Sequence, residues 1–150
     1  MRRHFLLGFV ILWSVLMAYK IFNPAASDGK EFFQHLPEKK IHFIELTPLD
    51  RSSPIKHSLS INDRYEVSRF IAIWGGVDTF VANHPKDAWA IGVKFHTDKG
   101  IYSGVLRATI NQGMMFDFNK SPTGWPVISE YQFKKSQAQI EAILKSIKGS

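Results

Sequence analysis

Eighteen positions near the amino terminus constrain this chain more than any others. Residues from Phe5 to Tyr19 carry no charge, Lys20 interrupts the run, and Ile21 and Phe22 complete it. As a helix, such a run reaches about 27 Å, close to the roughly 30 Å of a bilayer's hydrocarbon core. Nothing in it is amphipathic, so the pattern predicts a membrane crossing rather than a helix buried in a soluble core. Lys20 stands near the end, where its long stem carries the ammonium to the headgroups. Tyr19 suits the same interface. Pro24 stops the helix, because its ring removes a donor and clashes with the preceding turn.

Arg2 and Arg3 stand before the run and hold that end in the cytoplasm. The expected location is therefore the inner (cytoplasmic) membrane, with the remaining chain periplasmic or extracellular. A cleaved signal peptide has the same basic start and apolar core. Ala25, Ala26 and Ser27 offer small residues for it, and a cut after Ser27 puts Ala25 at the third position before the cut. Lys20 suits a cleavage region poorly, so the anchor is the preferred reading and secretion after cleavage near Ser27 the alternative.

Three parts follow: an anchor over residues 1–23, a connector over 24–39, and one exported domain over 40–150. The whole chain has 150 residues, room for one domain of ordinary size. With 45% apolar and 21% charged residues it has the composition of a folded protein. Net charge is +6, from 19 basic and 13 acidic residues; setting aside Arg2, Arg3 and Lys20 leaves 16 against 13. Half the excess thus belongs to membrane topology, and no dense basic patch remains for a nucleic acid. The absence of cysteine excludes disulfides, thiolate metal sites and a cysteine nucleophile.

The exported part alternates in ways that predict an α+β fold. In the connector, Asp28 and Glu31 have capping-box spacing, and a short helix over 29–35 has Phe32, Phe33 and Leu36 to bury before Pro37. Residues 40–47 read as a strand apolar on both faces, and Ile55 to Ile61 as a half-exposed one. Asn62 or Asp63 opens a helix whose Val67, Phe70, Ile71 and Trp74 share one face, closed by Gly75 and Gly76. Residues 77–85 read as a loop. Asp87 to Thr97, Ile101 to Ile110 and Met114 to Phe118 form an antiparallel meander turned at Asp98–Gly100 and Asn111–Gly113. Trp125 to Phe133 adds a further extended piece. A last helix begins near Ser136, with Ile140, Ile143, Leu144 and Ile147 inward. The order is roughly β-β-α-β-β-β-α, an antiparallel sheet with helices packed on one face.

Chemistry-bearing patterns are sparse. The histidines at 4, 35, 42, 57, 84 and 96 show no spacing that puts two imidazoles on one metal. His42 and His57 fall on successive strands and bring at most two ligands together. There is no nucleophile elbow or S-x-x-K sequence, and Gly75-Gly76 follows a helix instead of opening one, the wrong side for phosphate. Glu45 and Asp117 are the acids most clearly inside strands. No catalytic, cofactor or metal residue is assigned.

Trp74 and Trp89 fall in register with apolar faces and are expected in the core. Trp125 sits in Pro122-Thr-Gly-Trp-Pro126 without periodic apolar neighbours, and aromatics on loops are enriched at interfaces. Trp125, Pro126 and Tyr131 are therefore the partner-contact candidates. The expectation is a single-pass protein, held in the membrane by Phe5 to Phe22, whose exported domain binds another protein without catalysing a reaction, as immunity factors or accessory subunits of envelope complexes do. A small-molecule or lipid pocket lined by Phe32, Phe33, Phe80, Met114 and Met115 is the first alternative. An envelope hydrolase built on His42, His57, Glu45 and Asp117 is the second.

Overall fold

The computed structural model describes residues 13–14, 32–33, 35–36, 40–80, 84–120 and 129–147, with the backbone alone at 79, 80, 120 and 129. Trp13 and Ser14 are helical. The rest of the apolar run, the Asp28–Glu31 cap and the junction near Ser27 lie outside the described residues. Among the described residues no helix is long and apolar enough to cross a membrane.

Seven antiparallel strands make one sheet: β1 (Ile41–Pro48), β2 (Leu59–Ile61), β3 (Val77–Phe80), β4 (Asp87–Thr97), β5 (Gly100–Thr109), β6 (Gly113–Lys120) and β7 (Ser129–Phe133). Their spatial order is β2-β1-β4-β5-β6-β7-β3. Among the described residues two helices are complete: α1 (Arg64–Ile71), continued by a 3₁₀ turn over Ala72–Trp74, and α2 (Gln137–Ser146). The α+β class and the antiparallel sheet are as the sequence predicts.

Two elements depart from expectation. Val77–Phe80 forms β3 where a loop was expected, because its backbone finds a partner in β7, from Val77 opposite Phe133 to Phe80 opposite Glu130. The second strand keeps only Leu59–Ile61 of the expected Ile55 to Ile61. Ile55 is buried, but the backbone bends at Pro54, Lys56 and His57 and finds no strand partner there among the described residues, while Lys56 Nζ donates to the Ser53 carbonyl at 3.1 Å.

The helix ends follow their caps. The Asp63 carboxylate accepts from the Tyr65 and Glu66 amides, both at 3.0 Å. Glu66 does not complete a capping box; it pairs with Arg69 at 3.1 Å. At α2, Ser136 and Gln139 form the reciprocal box. Gly76 leaves the 3₁₀ turn with φ +82°, a conformation that costs other residues more.

Strand alternation gives the sheet one apolar face. Cross-strand register sets three rows on that side, Ile44–Phe95–Tyr102, Leu46–Val93–Gly104–Phe118 and Ile91–Leu106–Phe116–Tyr131. Val67, Phe70, Trp74, Ile140 and Leu144 join them in the buried core, so both helices lie on one face. Trp89 and Trp74 are buried as expected. Trp89 Nε1 donates to Glu141 Oε1 at 2.8 Å, tying α2 to β4. Hydrogen bonds from Gln137 and Trp89 hold the Glu141 carboxyl below its ordinary pKa, against the effect of burial. Gly104 is required by packing. A Cβ there would stand 2.3 Å from both the Asp117 carbonyl oxygen and the Phe116 ring.

Three residues of the connector, Phe32, Phe33 and Leu36, are part of this core. Phe32 and Leu36 are 1% exposed. Phe32 stacks on Tyr102 at 4.1 Å, and Phe33 lies parallel to Trp74 at 5.1 Å. Each buried ring of this size contributes about 1.5–3 kcal/mol by area, so Phe32 and Phe33 are held as core residues.

Candidate functional site

The sheet's other face turns away from both helices, and pairing register sets its side chains in rows. One row runs Phe43–His96–Ile101 over β1, β4 and β5. The next runs Glu45–Lys94–Ser103. The third runs Thr47–Gly92–Val105–Asp117–Glu130, and the fourth Ala90–Arg107–Met115–Gln132–Asp78. Gly92 is the flat point of this face. Leu49, itself 53% exposed, has its Cδ2 3.7 Å from the place a Cβ on Gly92 would take.

The turn carrying Leu49 is fastened to β4. Leu49 N–H donates to the Ala90 carbonyl at 3.1 Å. The Asp50 carboxylate accepts from the Ala90 N–H and from the Ser52 amide and hydroxyl. Ser52 Oγ also lies 2.7 Å from the Ala88 carbonyl, so its single hydroxyl proton serves either that oxygen or Asp50. Burial works to raise the Asp50 carboxyl, and the hydrogen bonds from Ser52 and the Ala90 N–H outweigh it, so its pKa falls below the ordinary value.

Two charge clusters flank this centre. Lys94 Nζ donates to Glu45 Oε2 at 3.0 Å, and that bond is the main reason the Glu45 carboxyl lies below its usual pKa. His96 Nε2 comes within 3.3 Å of Glu45 Oε1 but off the angle of a hydrogen bond. The His96 ring stacks on Phe43, 3.9 Å between centroids. On the other side Arg107 Nη2 contacts both Asp117 oxygens, at 2.8 and 2.9 Å, while Nη1 lies 3.4 Å from Asp87. Burial pushes the Asp117 carboxyl above its ordinary value, with Arg107 pulling the other way and Glu130 and Asp87 adding to the rise. Arg107 Nε is buried with no hydrogen-bond partner among the described residues.

The sequence-nominated groups do not converge. His42 is the extra residue of a bulge in β1 and is exposed, and His57 is exposed ahead of β2. Glu45 pairs with Lys94 and His96, Asp117 with Arg107. Three interstrand steps separate β1 from β6, about 14 Å, farther than the carboxylate spacings of glycosidic hydrolysis. Among the described residues no group of three or more His, Asp and Glu is placed to hold a metal ion. Trp125 and Pro126 lie outside the described residues, on the connection from β6 to β7. Tyr131 is on β7 with its ring toward the helices, 2% exposed and edge-on to Phe33 at 4.9 Å. Of the residues nominated to line a pocket, Phe32, Phe33, Met114 and Met115 are all buried, and the Phe80 side chain lies outside the described set.

Leu49 over Gly92 escaped sequence reasoning because Leu49 belongs to a turn and β2, α1 and β3 intervene between β1 and β4 along the chain. The chain matches no protein-family model, no curated protein and no solved structure. The class of molecule is therefore set by its own geometry: a one-layer antiparallel sheet, sealed on one side by helices and a connector, patterned with charge and apolar groups on the other.

Proposed function

We propose that this is a single-pass membrane protein whose exported domain binds another protein through the outer face of its sheet, without catalysing a reaction. The observation that carries the reading is the arrangement around Leu49. An exposed apolar side chain stands over a flat glycine between Thr47 and Val105, inside a rim of charges that are already paired as Glu45–Lys94 and Arg107–Asp117. An apolar centre with a polar rim is the anatomy of a protein interface. Paired rim charges resist desolvation less than free ones and set orientation and encounter rate. The apolar space between sheet and helices is occupied by the connector's own rings, which favours a surface partner over an enclosed small molecule. Trp125 and Pro126, on the β6–β7 connection, are proposed as further contacts, with Tyr131 anchoring β7 from the core side. Anchoring rests on the run from Phe5 to Phe22 behind Arg2 and Arg3.

A photo-crosslinker at position 49 of the full chain, activated in native membranes, tests this. The expected product is one discrete adduct that Gly92→Glu abolishes while the thermal unfolding midpoint stays near that of the parent. A probe at Tyr65, which is 70% exposed on α1, serves as the control. Equal labelling from both positions, or none from 49, would defeat the proposal.

A further inference from the structure

Nine residues, and so ten Cα–Cα steps, lie between Phe22, the last position of the apolar run, and Phe32. Ten fully extended residues span at most about 36 Å, so the point where Phe32 enters the domain stays close to whatever holds Phe22. That point is defined. The Phe32 ring contacts Phe95 on β4 and Tyr102 on β5, at 5.2 and 4.1 Å. Both residues lie near the Asp98–Lys99 turn, so Phe32 packs toward the tip of the β4–β5 hairpin.

The same tip has a distinctive surface. The Lys40 carbonyl accepts from the Asp98 N–H at 3.4 Å, which brings the start of β1 onto the hairpin turn. Lys40 and Lys99 are exposed there, and Lys39 precedes Lys40 in sequence. Asp98 is the one carboxylate of the turn itself, and Glu45, the next acid along the outer face, is engaged by Lys94. Ile101 follows the turn and is 41% exposed, at the end of the row begun by Phe43. The far end of β5 also exposes an isoleucine, Ile110 at 75%, on the opposite end of the strand from the Phe32 contacts.

We infer that this tip is a lipid-contacting surface, in which Lys40 and Lys99 meet the anionic phospholipid headgroups of the bilayer that holds the anchor and Ile101 enters the interface. The inference rests on the anchored reading of residues 5–22. A short tether keeps the tip at high effective concentration beside the bilayer, so a contact too weak to recruit a free protein suffices to hold this one. Each lysine near an anionic surface adds an attraction that salt screens. An exposed isoleucine beside lysines supplies the apolar part, with the ammonium groups remaining at headgroup level. The tip then points at the bilayer and the outer sheet face stands side-on to it. Leu49 and its rim are thereby presented to a neighbour in the same membrane.

The chain contains no cysteine, so single labels are unambiguous. The full chain, as Ile101→Cys or Ile110→Cys carrying a fluorophore, is reconstituted into phosphatidylcholine vesicles with and without phosphatidylglycerol, each doped with a headgroup-region nitroxide lipid. The expected result is several-fold stronger quenching at 101 than at 110. That difference falls in pure phosphatidylcholine, in high salt, and in Lys40→Glu combined with Lys99→Glu. Alkaline extraction of the same vesicles reports the anchor independently. Chain that resists extraction but quenches equally at both positions overturns the lipid contact and leaves the anchor standing. Chain released by extraction overturns the anchor and this inference with it. Disulfide dimers of unlabelled Ile101→Cys without lipid quenching at 101 assign the tip to a second copy and overturn the contact.

Discussion

Asp117 sits opposite Glu130 across the β6–β7 pair and beside Arg107, so its carboxylate has one like and one opposite neighbour in close register. Burial decides the balance and raises its pKa above the ordinary 3.8. The sign of the consequence is unusual for an acid. With the folded pKa above the unfolded one, the folded state binds the proton more tightly. The contribution to stability is fully present below 3.8 and is lost as pH rises through the folded pKa. Asp117→Asn is neutral throughout and keeps an oxygen for Arg107. Its unfolding midpoint relative to the parent should therefore become more favourable as pH is raised from about 3 to about 7. Glu45, Asp50 and Glu141, whose pKa values are lowered, drop out of that difference because both proteins carry them. A difference that is flat, or that runs the other way, would show that Arg107 and not burial governs the site. At this scale the sequence was partly legible. Alternation placed Glu45 and Asp117 inside strands, but Arg107 reaches Asp117 diagonally over a neighbouring strand, and no spacing along the chain encodes that meeting.

At the scale of elements, the periodic segments were legible and the dependent ones were not. Asp63 and Ser136 cap the two helices because their side chains satisfy amides that the first turn leaves unpaired, a purely local matter visible in sequence. Val77–Phe80 has no comparable local signal. It is a strand because β7 offers its edge, and strand propensity depends heavily on such context. The connector is the sharpest case. Phe32, Phe33 and Leu36 were legible as residues with something to bury, yet a stalk and a docked segment look alike until the receiving rings are known. Phe32 lies among Phe33, Phe95, Tyr102 and Phe118, so docking is an energetic commitment. Phe32→Ala in the full chain should cost about 3–5 kcal/mol in denaturant unfolding followed by tryptophan fluorescence. A stalk position would change stability by no more than about 0.5 kcal/mol, and that outcome would separate the connector from the domain.

For the molecule as a whole, the chain visits both edges of the sheet before it builds the middle. β1 and β2 pair first along the sequence, α1 and its 3₁₀ turn then carry the chain to β3 at the opposite edge, and only afterwards does the β4–β7 meander fill the space between. Strand order of this kind was not legible, since periodicity identifies a strand's inward face but not its neighbour. The meander's first three strands, β4 to β6, were legible because they are joined by short turns at Asp98–Lys99 and Asn111–Gln112. The topology makes a stability map. β4, β5 and β6 have partners on both sides and a fully buried inner face, whereas β2 and β3 have one partner each. Edge strands open locally at lower free energy than the sheet's centre. α1 is different, although it joins the two edges, because Val67 and Phe70 are buried in the shared core and Trp74 follows them there. Hydrogen exchange of the full chain should find Leu59–Ile61 and Val77–Phe80 exchanging first by local opening. The bonded amides of α1 should exchange with those of β4 to β6, only through global unfolding. If α1 exchanged with the edges instead, the helix would be a hinged strap over the sheet, and the sealed face on which the surface-binding reading depends would open during ordinary fluctuations.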